Sequence, residues 1–389
     1  MSNLHDPEPI TPGPSDPVSR RRFLKALGGL GAVGGVSYLV ARGALFREPS
    51  REPAPPSTPV PGQEELVELS REITRGGPPK DGIPPIEDPR FLSASEARFL
   101  AEDDVVFGLV HAGEVRAYPQ LVLVWHEIAN DRFPDGPMTV TYCPLTGSAV
   151  AFRGRAAGGR TYTFGTSGDL VNSNLLMYDR QTDSRWPQIL ARAILGPSFG
   201  RWLEEIPLDW TTWGRWRAAH PDTVVLSTET GAVRDYGTDP YGSYTPLSGY
   251  YAPGTGRGFP VTEEDPRFDD KEVVIGVKHG TGRLAVRKST LRRRHVAHAG
   301  LEGDPVSVLY DPALDEGRAY RPVTGALRLR LSPADEPGRY VDDMTDSLWD
   351  SMGQSLIGPL RGERLERLVS YDVMWFSWVA FFPQTEVVG

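Results

Sequence analysis

The sequence predicts a strand-dominated α+β protein made of two tandem copies of a module of about 120 residues. Glycine (42) and proline (36) are frequent among the 389 residues, which favours a turn-rich fold over a helical bundle. Alternating apolar residues, as in 105–110 and 138–142, indicate strands. A series of residues that recurs in the same order indicates an internal repeat. We therefore expect two homologous halves related by pseudo-twofold symmetry.

The repeat is clearest at Val105–His111, which recurs 168 positions later as Val273–His279. Further matches in the same order are Tyr142 with Tyr310, Asp179–Trp186 with Asp342–Trp349, and Trp213 and Trp216 with Trp375 and Trp378. One shared dipeptide arises by chance, but a collinear series with short gaps does not. The matches predict a duplicated module.

The repeat and the local composition together predict the domain organisation. The predicted parts are a twin-arginine signal or membrane anchor at 1–47, a proline-rich linker at 48–62, a helical lead-in at 63–104, module one at 105–226, a Gly- and Tyr-rich bridge at 227–272, and module two at 273–388. We expect the functional site in module one, because module two lacks several of its polar residues.

The N-terminal part resembles an export signal. Ser19–Lys25 has the form of a twin-arginine signal, and a weakly apolar stretch, Ala26–Ala41, follows it directly. We therefore expect the twin-arginine translocase to export the folded chain. The segment is expected to remain as a membrane anchor, with the body on the outer face of the cytoplasmic membrane, periplasmic or extracellular.

Charge and cysteine content exclude some functions. The net charge of −9 argues against nucleic-acid binding, which needs a basic surface to neutralise phosphates. The single cysteine, Cys143, excludes an internal disulfide and metal knuckles of the CxxC type.

Residues kept in both halves are expected to serve the fold. His111 and His279 form such a pair and are predicted to be hydrogen-bonded structural histidines. The Asp and Thr/Ser groups of Asp179–Trp186 and its repeat are expected to fix loops through side-chain to backbone hydrogen bonds. Pro119 is predicted to start a helix over Gln120–Asn130.

Polar residues present in module one alone are better candidates for a site. Cys143 is replaced by Asp311 in module two, and a lone carboxylate is costly in an apolar core, so this position is expected to face a pocket or solvent. His126 is the second candidate, opposite Arg294 in the repeat. The weaker lining candidates are Asn172, Asn174, Met177 and His220.

Three chemistries remain open for this set. Cys143 and His126, with Met177 or His220, would form a soft ligand set for copper or zinc. Alternatively, Cys143 would be the nucleophile of a thiol-dependent enzyme and a histidine its base. In the third interpretation the protein is a non-catalytic ligand-binding or structural module, and Cys143 is a small buried residue.

The bridge adds a further candidate. Asp235–Tyr244 contains three tyrosines and two aspartates. This composition is compatible either with a packed crossover between modules or with one wall of a small-molecule pocket at their interface.

Several segments together resemble the bacterial and archaeal family defined by domain of unknown function 3179. They are Val124–Ile128, Tyr142–Ser148, Asn172–Arg180, His220–Thr223 and Asp239–Tyr241. The resemblance runs from about Asp88 to the C-terminus. It implies that the Trp-His-Glu and Tyr-Cys-Pro segments belong to the recognisable core of the family, but it implies no cofactor and no reaction.

Overall fold

A computed structural model describes residues 62–154 and 161–389. This part of the chain has the strand-dominated α+β fold that the sequence predicts. Its helices are α1 (Glu64–Arg71), α2 (Gln120–Leu123), α3 (Trp213–Ala219), α4 (Lys288–Arg294) and α5 (Trp375–Phe381). No helix within these residues is long and apolar enough to cross a membrane. The predicted anchor at 1–47 and the linker up to residue 61 lie outside the described residues.

The first half of the fold consists of three sheets. Its strands are β1 (Thr74–Arg75), β2 (Phe91–Ser93), β3 (Val105–His111), β4 (Glu114–Pro119), β5 (Ile128–Phe133), β6 (Gly136–Cys143), β7 (Ser148–Arg153), β8 (Phe164–Val171), β9 (Asn174–Asp179), β10 (Arg185–Pro187), β11 (Glu204–Ile206), β12 (Asp209–Thr212) and β13 (Val224–Leu226). The strand orders are β12-β3-β4-β13-β2, β11-β7-β6-β5 and β1-β8-β9-β10.

The bridge contributes one hairpin, and the second half contributes the remaining sheets. The hairpin strands are β14 (Gly242–Tyr244) and β15 (Leu247–Gly249). The other strands are β16 (Val273–His279), β17 (Gly282–Arg287), β18 (Val296–Leu301), β19 (Asp304–Asp311), β20 (Glu316–Arg321), β21 (Val323–Thr324), β22 (Leu327–Arg328), β23 (Leu331–Pro333), β24 (Arg339–Asp342), β25 (Leu348–Asp350), β26 (Ser355–Ile357), β27 (Glu366–Arg367), β28 (Val369–Met374) and β29 (Glu386–Val388).

The main sheets of the two halves have the same strand order. The order β12-β3-β4-β13 in the first half corresponds to β28-β16-β17-β29 in the second, and β11-β7-β6-β5 corresponds to β27-β20-β19-β18. The register agrees as well, because Gly108 lies opposite Ala117 in one half and Gly276 lies opposite Ala285 in the other. The recurring residues therefore occupy equivalent positions in these sheets.

In each main sheet a glycine leaves room for a tryptophan ring to pack directly against the backbone of the strand. A Cβ atom at Gly108 would lie 2.2 Å from the ring of Trp216, and one at Gly276 would lie 2.4 Å from the ring of Trp378. Both rings are fully buried on the short helices α3 and α5. Only a residue without a side chain permits so close an approach, so each helix is packed tightly onto its sheet.

The Asp-Thr-Trp loops are fixed in the same way in both halves. The Asp179 carboxylate accepts hydrogen bonds from the Thr182 amide (2.5 Å) and the Trp186 indole N–H (2.9 Å). Asp342 likewise accepts from the Thr345 amide (2.6 Å) and the Trp349 indole (2.9 Å). The predicted side-chain to backbone bonds of this motif are confirmed.

Buried ion pairs join the two halves. Arg318 on β20 donates to Asp209 on β12 at 3.0 Å, and Lys278 on β16 donates to Glu205 on β11 at 2.7 Å. All four side chains are almost inaccessible to solvent. Removing one partner would leave a buried charge with less compensation, so these pairs help to define how the halves pack.

We expect Asp342→Ala to lower the free energy of unfolding by about 2–4 kcal/mol, because several buried donors lose their acceptor. Urea denaturation measures the effect. Met344→Ala, in the same loop but exposed, is the control and should change stability by less than about 0.5 kcal/mol. Equal stabilities of the Asp342→Ala variant and the parent would contradict this account of the loop.

Candidate functional site

Cys143 ends β6 and is buried, with 1% of its surface exposed. Its Sγ donates to the carbonyl oxygen of Ser173 at 3.9 Å. Burial raises the pKa of the thiol to about 11, and the nearby Glu127 carboxyl adds to the rise. Hydrogen bonds from Thr146 and from the Leu175 amide act in the opposite direction but do not outweigh burial. The thiol is therefore protonated at neutral pH and closed to solvent.

A buried polar network lies behind the thiol. Asn174 Nδ2 donates to Thr146 Oγ1 (3.1 Å) and to Gln188 Oε1 (2.9 Å), and Ser148 Oγ donates to the same Gln188 oxygen (2.7 Å). Gln188 Nε2 donates onward to Thr141 Oγ1 (2.9 Å). Asn174, one of the predicted lining residues, connects two turns within the core.

Asn172 connects the two halves of the fold. Its Nδ2 donates to the carbonyl oxygen of Ala380 at 3.0 Å, and its Oδ1 accepts from the Thr262 amide at 2.8 Å. Asn172 and Ser173 both have positive φ (52° and 59°) in the tight turn between β8 and β9. Asparagine tolerates this conformation, which accounts for its place in the turn.

His126 has partners of its own, separate from those of Cys143. The predicted helix Gln120–Asn130 is wrong in its length: α2 ends at Leu123, and Glu127 has a φ of +58° before β5 begins. His126 Nδ1–H donates to the Pro84 carbonyl oxygen (2.6 Å), and Nε2 accepts from the Tyr236 hydroxyl (2.7 Å). Both ring nitrogens are therefore engaged. No hydrogen bond joins His126 to Cys143 in the described chain.

The remaining predicted ligands are placed apart from each other. His220 follows α3 and packs its ring on Trp216 at 4.2 Å between centroids, whereas Met177 lies in β9 opposite Trp186. Within residues 62–154 and 161–389, no group of three His, Cys, Asp or Glu side chains is arranged to hold a metal ion. A copper or zinc site thus stays a prediction of the sequence alone.

Glu127 lies near Cys143 and is a residue that the comparison of the two halves of the sequence did not single out. Its side chain is 7% exposed, and burial raises the pKa of its carboxyl to about 8. The Tyr142 amide donates to its backbone carbonyl at 2.8 Å, which holds the residue beside the end of β6. The signal for Glu127 in the sequence is its position in the Trp-His-Glu segment, directly after His126.

A cavity with a volume of about 390 Å³ lies between the bridge and the start of the first half. Asp103, Asp104 and Gln120 line one side. On the bridge side it is lined by Gly237, Thr238, Asp239, Gly242, Ser243, Tyr244, Thr245 and Ser248. The bridge thus forms a pocket wall, but against the first half rather than between the two modules. We call this cavity the bridge pocket.

Hydrogen bonds around Asp239 form the floor of the bridge pocket. Asp239 Oδ2 accepts from Gln120 Nε2 (2.7 Å) and from the Tyr251 hydroxyl (2.8 Å). The Tyr142 hydroxyl lies 3.1 Å from that of Tyr251 and 3.0 Å from that of Tyr244. Burial raises the pKa of Asp239, and the surrounding donors partly offset this effect. Tyr142, next to Cys143 in sequence, is therefore hydrogen-bonded to Tyr244, which lines the pocket, and to Tyr251, which donates to Asp239.

We expect Glu127→Gln to remove a pH-dependent loss of stability. Between the ordinary pKa of 4.5 and the folded value of about 8, the folded chain retains a proton that the unfolded chain has lost. The parent should therefore lose stability as the pH rises from 5 to 8, by up to about 5 kcal/mol from this group.

Urea denaturation at pH 5, 7 and 8.5 measures this difference. The stability advantage of Glu127→Gln over the parent should grow with pH and level off above about pH 8. Glu68→Gln, at an exposed position of α1, serves as the control and should follow the parent. A pH-independent difference would show that the folded protein does not hold Glu127 in its protonated form.

We expect the Cys143 thiol to be unreactive in the folded protein, because it is buried and its pKa is raised to about 11. Titration with a colorimetric disulfide reagent at pH 8 should detect one equivalent of thiol only after the protein is denatured. Ser248→Cys places a second thiol at an exposed position and should react at once in the folded state. Rapid reaction of the parent would mean that Cys143 is accessible.

The comparisons with known proteins agree with the resemblance seen in the sequence. Neither a curated protein nor a solved structure matches the chain. The model of one family, described as a protein of unknown function (DUF3179), matches residues 80–385. This match includes the strands β2 to β28, the bridge and every residue that lines the bridge pocket. The chain therefore belongs to the DUF3179 family.

Proposed function

We propose that the protein binds a small polar molecule in the bridge pocket. The observation that carries this proposal is the cavity of about 390 Å³ with a floor of hydrogen-bonded polar side chains around Asp239. Ligand pockets in proteins begin at about 300 Å³ and orient their ligands through a few fixed polar groups. The bridge pocket has both properties.

The environment of Cys143 favours binding over thiol catalysis. A reactive cysteine needs an accessible thiolate, whereas this thiol is buried and its pKa is raised to about 11. A base would also have to reach it, and His126 is engaged by Pro84 and Tyr236. Cys143 fits the description of a small buried residue beneath the pocket floor.

We also propose that the protein is exported from the cytoplasm. We infer from Ser19–Lys25 that the twin-arginine translocase carries the folded chain across the membrane. Residues 1–47 would then anchor it to the outer face of the cytoplasmic membrane, and 48–62 would form the spacer. The ligand would be a solute of the periplasm or of the surroundings of the cell.

We also propose that the two halves arose by tandem duplication, with module one at 105–226 and module two at 273–388. Their equal strand order and the paired Gly108–Trp216 and Gly276–Trp378 contacts support this. The bridge at 227–272 has no repeat, so the pocket that it forms exists on module one alone. Module one would therefore carry the function.

The test is a thermal-shift screen of the exported domain against a chemically diverse set of small polar solutes. A ligand that binds the folded state raises its stability by about 2.7 kcal/mol at 100 times its Kd. We expect saturable stabilisation by at least one compound. Ser248→Trp, which places an indole at the pocket wall, should abolish it.

Ser332→Trp is the matched control, because Ser332 is exposed on β23 and does not line the bridge pocket. This variant should respond to the ligand as the parent does. Ligand binding that survives Ser248→Trp would place the site elsewhere, and a parent that no compound stabilises would count against a binding function.

A further inference from the structure

We propose that Glu316, at the start of β20, holds a proton in the folded protein at neutral pH, and that loss of this proton weakens the contact between the two halves. The inference concerns the second half and its contact with the first, and it does not depend on the bridge pocket. It follows from two buried oxygens that lack partners and from the balance of the charges around them.

One lysine lies beside two buried carboxyls. Lys288 begins α4, and its Nζ contacts Asp372 Oδ2 on β28 directly, whereas Glu316 Oε2 is 3.9 Å away, beyond hydrogen-bond distance. All three side chains are almost inaccessible to solvent. The ammonium group therefore pairs with Asp372 and leaves Glu316 without a direct ion-pair partner.

Each of the two carboxyls has a buried oxygen that is not hydrogen-bonded. Within the described chain, Glu316 Oε2 and Asp372 Oδ1 have no hydrogen-bond partner. Such acceptors are costly in the interior of a protein. A proton turns the Glu316 oxygen into a donor, while Asp372 stays ionised against Lys288 and keeps an oxygen that can accept. One proton on Glu316 therefore reduces the cost at both carboxyls.

The balance of charge around Glu316 also favours one proton. The cations of the cluster are Lys288 on α4, Arg318 on β20 and Arg367 on β27, and its carboxyls are Asp209 on β12, Asp311 on β19, Asp372 on β28 and Glu316 itself. Arg292 and Asp315, next to the cluster, form an ion pair of their own at 2.5 Å, and burial lowers the pKa of His220, which is therefore neutral. Four carboxylates would exceed three cations by one negative charge, and a proton on Glu316 removes the excess.

Asp209 connects this cluster to the contact between the halves. It belongs to the first half and accepts from Arg318 of the second at 3.0 Å. Burial raises the pKa of Glu316 well above its ordinary value of 4.5, the charges of Asp372 and Asp209 add to the rise, and Lys288 and Arg318 oppose it. Because such coupling acts equally in both directions, ionised Glu316 would repel Asp209 and so weaken the ion pair that joins the halves.

Infrared spectroscopy of the folded protein tests the proton directly. The measurement uses the Glu127→Gln variant, because protonated Glu127 would contribute a band of its own. We expect a carboxylic-acid carbonyl band at pH 7 that the further exchange Glu316→Gln removes. Absence of any acid band from the Glu127→Gln protein at pH 7, or a band that Glu316→Gln leaves unchanged, would overturn the proposal.

Asp372→Asn and Asp209→Asn, each in the Glu127→Gln protein, test the neighbours of Glu316 without exchanging it. Each removes a negative charge that favours the protonated form, so the acid band should disappear at a lower pH than in the Glu127→Gln protein. A transition that Asp209→Asn does not move would separate the proton from the contact between the halves and refute that part of the inference.

Urea denaturation between pH 5 and 9 measures the consequence for the fold. Above pH 4.5 the unfolded chain loses a proton that the folded chain keeps, so this group should raise the unfolding equilibrium constant of Glu127→Gln by up to about ten-fold per pH unit. The double variant with Glu316→Gln lacks this contribution. Glu386→Gln, at an exposed position of β29 and in the same Glu127→Gln protein, is the control and should keep it. Equal pH dependence with and without Glu316 would show that the folded protein does not hold this proton.

Discussion

The carboxylate of Asp239 is the interaction on which the pocket depends. It accepts hydrogen bonds from Gln120 on α2, from the Tyr251 hydroxyl and from the Tyr241 amide (2.7 Å). Two of these donors belong to the bridge and one to the first half, so this acidic group links the bridge to the first half. Low local dielectric strengthens such charge-assisted bonds and makes their loss expensive. Together with the bonds of Tyr142 to Tyr244 and Tyr251 and of His126 to Tyr236, they hold the bridge against the first half and so form the wall of the cavity.

Much of the fold could be predicted because its determinants are local and occur twice. The Asp179 and Asp342 loops, for example, consist of bonds among residues at most seven positions apart. The extent of the helix after Pro119 could not be predicted in this way. Its apolar residues fit a helix through Asn130, but the chain turns at Glu127 with a positive φ, and the contacts of β5 with β6 override the local preference.

The candidate site was harder to predict, because its geometry depends on contacts between residues that are distant in the sequence. The exchange of Cys143 for Asp311 suggested a position that faces solvent or a pocket. Asp311 is in fact buried, and its carboxylate accepts hydrogen bonds from Arg318 (2.7 Å) and Ser351 (2.9 Å). Ser351 is distant from Asp311 in the sequence, and neither partner belongs to a motif that would have indicated the contact. A paired carboxylate tolerates burial, so the exchange indicated a polar position rather than an open one. The cluster of tyrosines in the bridge indicated the position of the pocket better than the exchange of Cys143 for Asp311 did.

The burial of Cys143 has a consequence for the oxidation chemistry of its thiol. Thiol–disulfide exchange requires a thiolate that can reach a second sulfur, and this sulfur is 1% exposed, with a pKa raised to about 11. The chain has no other cysteine with which to pair. Folded molecules should therefore not cross-link to each other or form mixed disulfides with small thiols. Peroxide, which also attacks the thiolate, is kept from it by the same burial. The fold itself thus acts as the antioxidant protection of its only thiol.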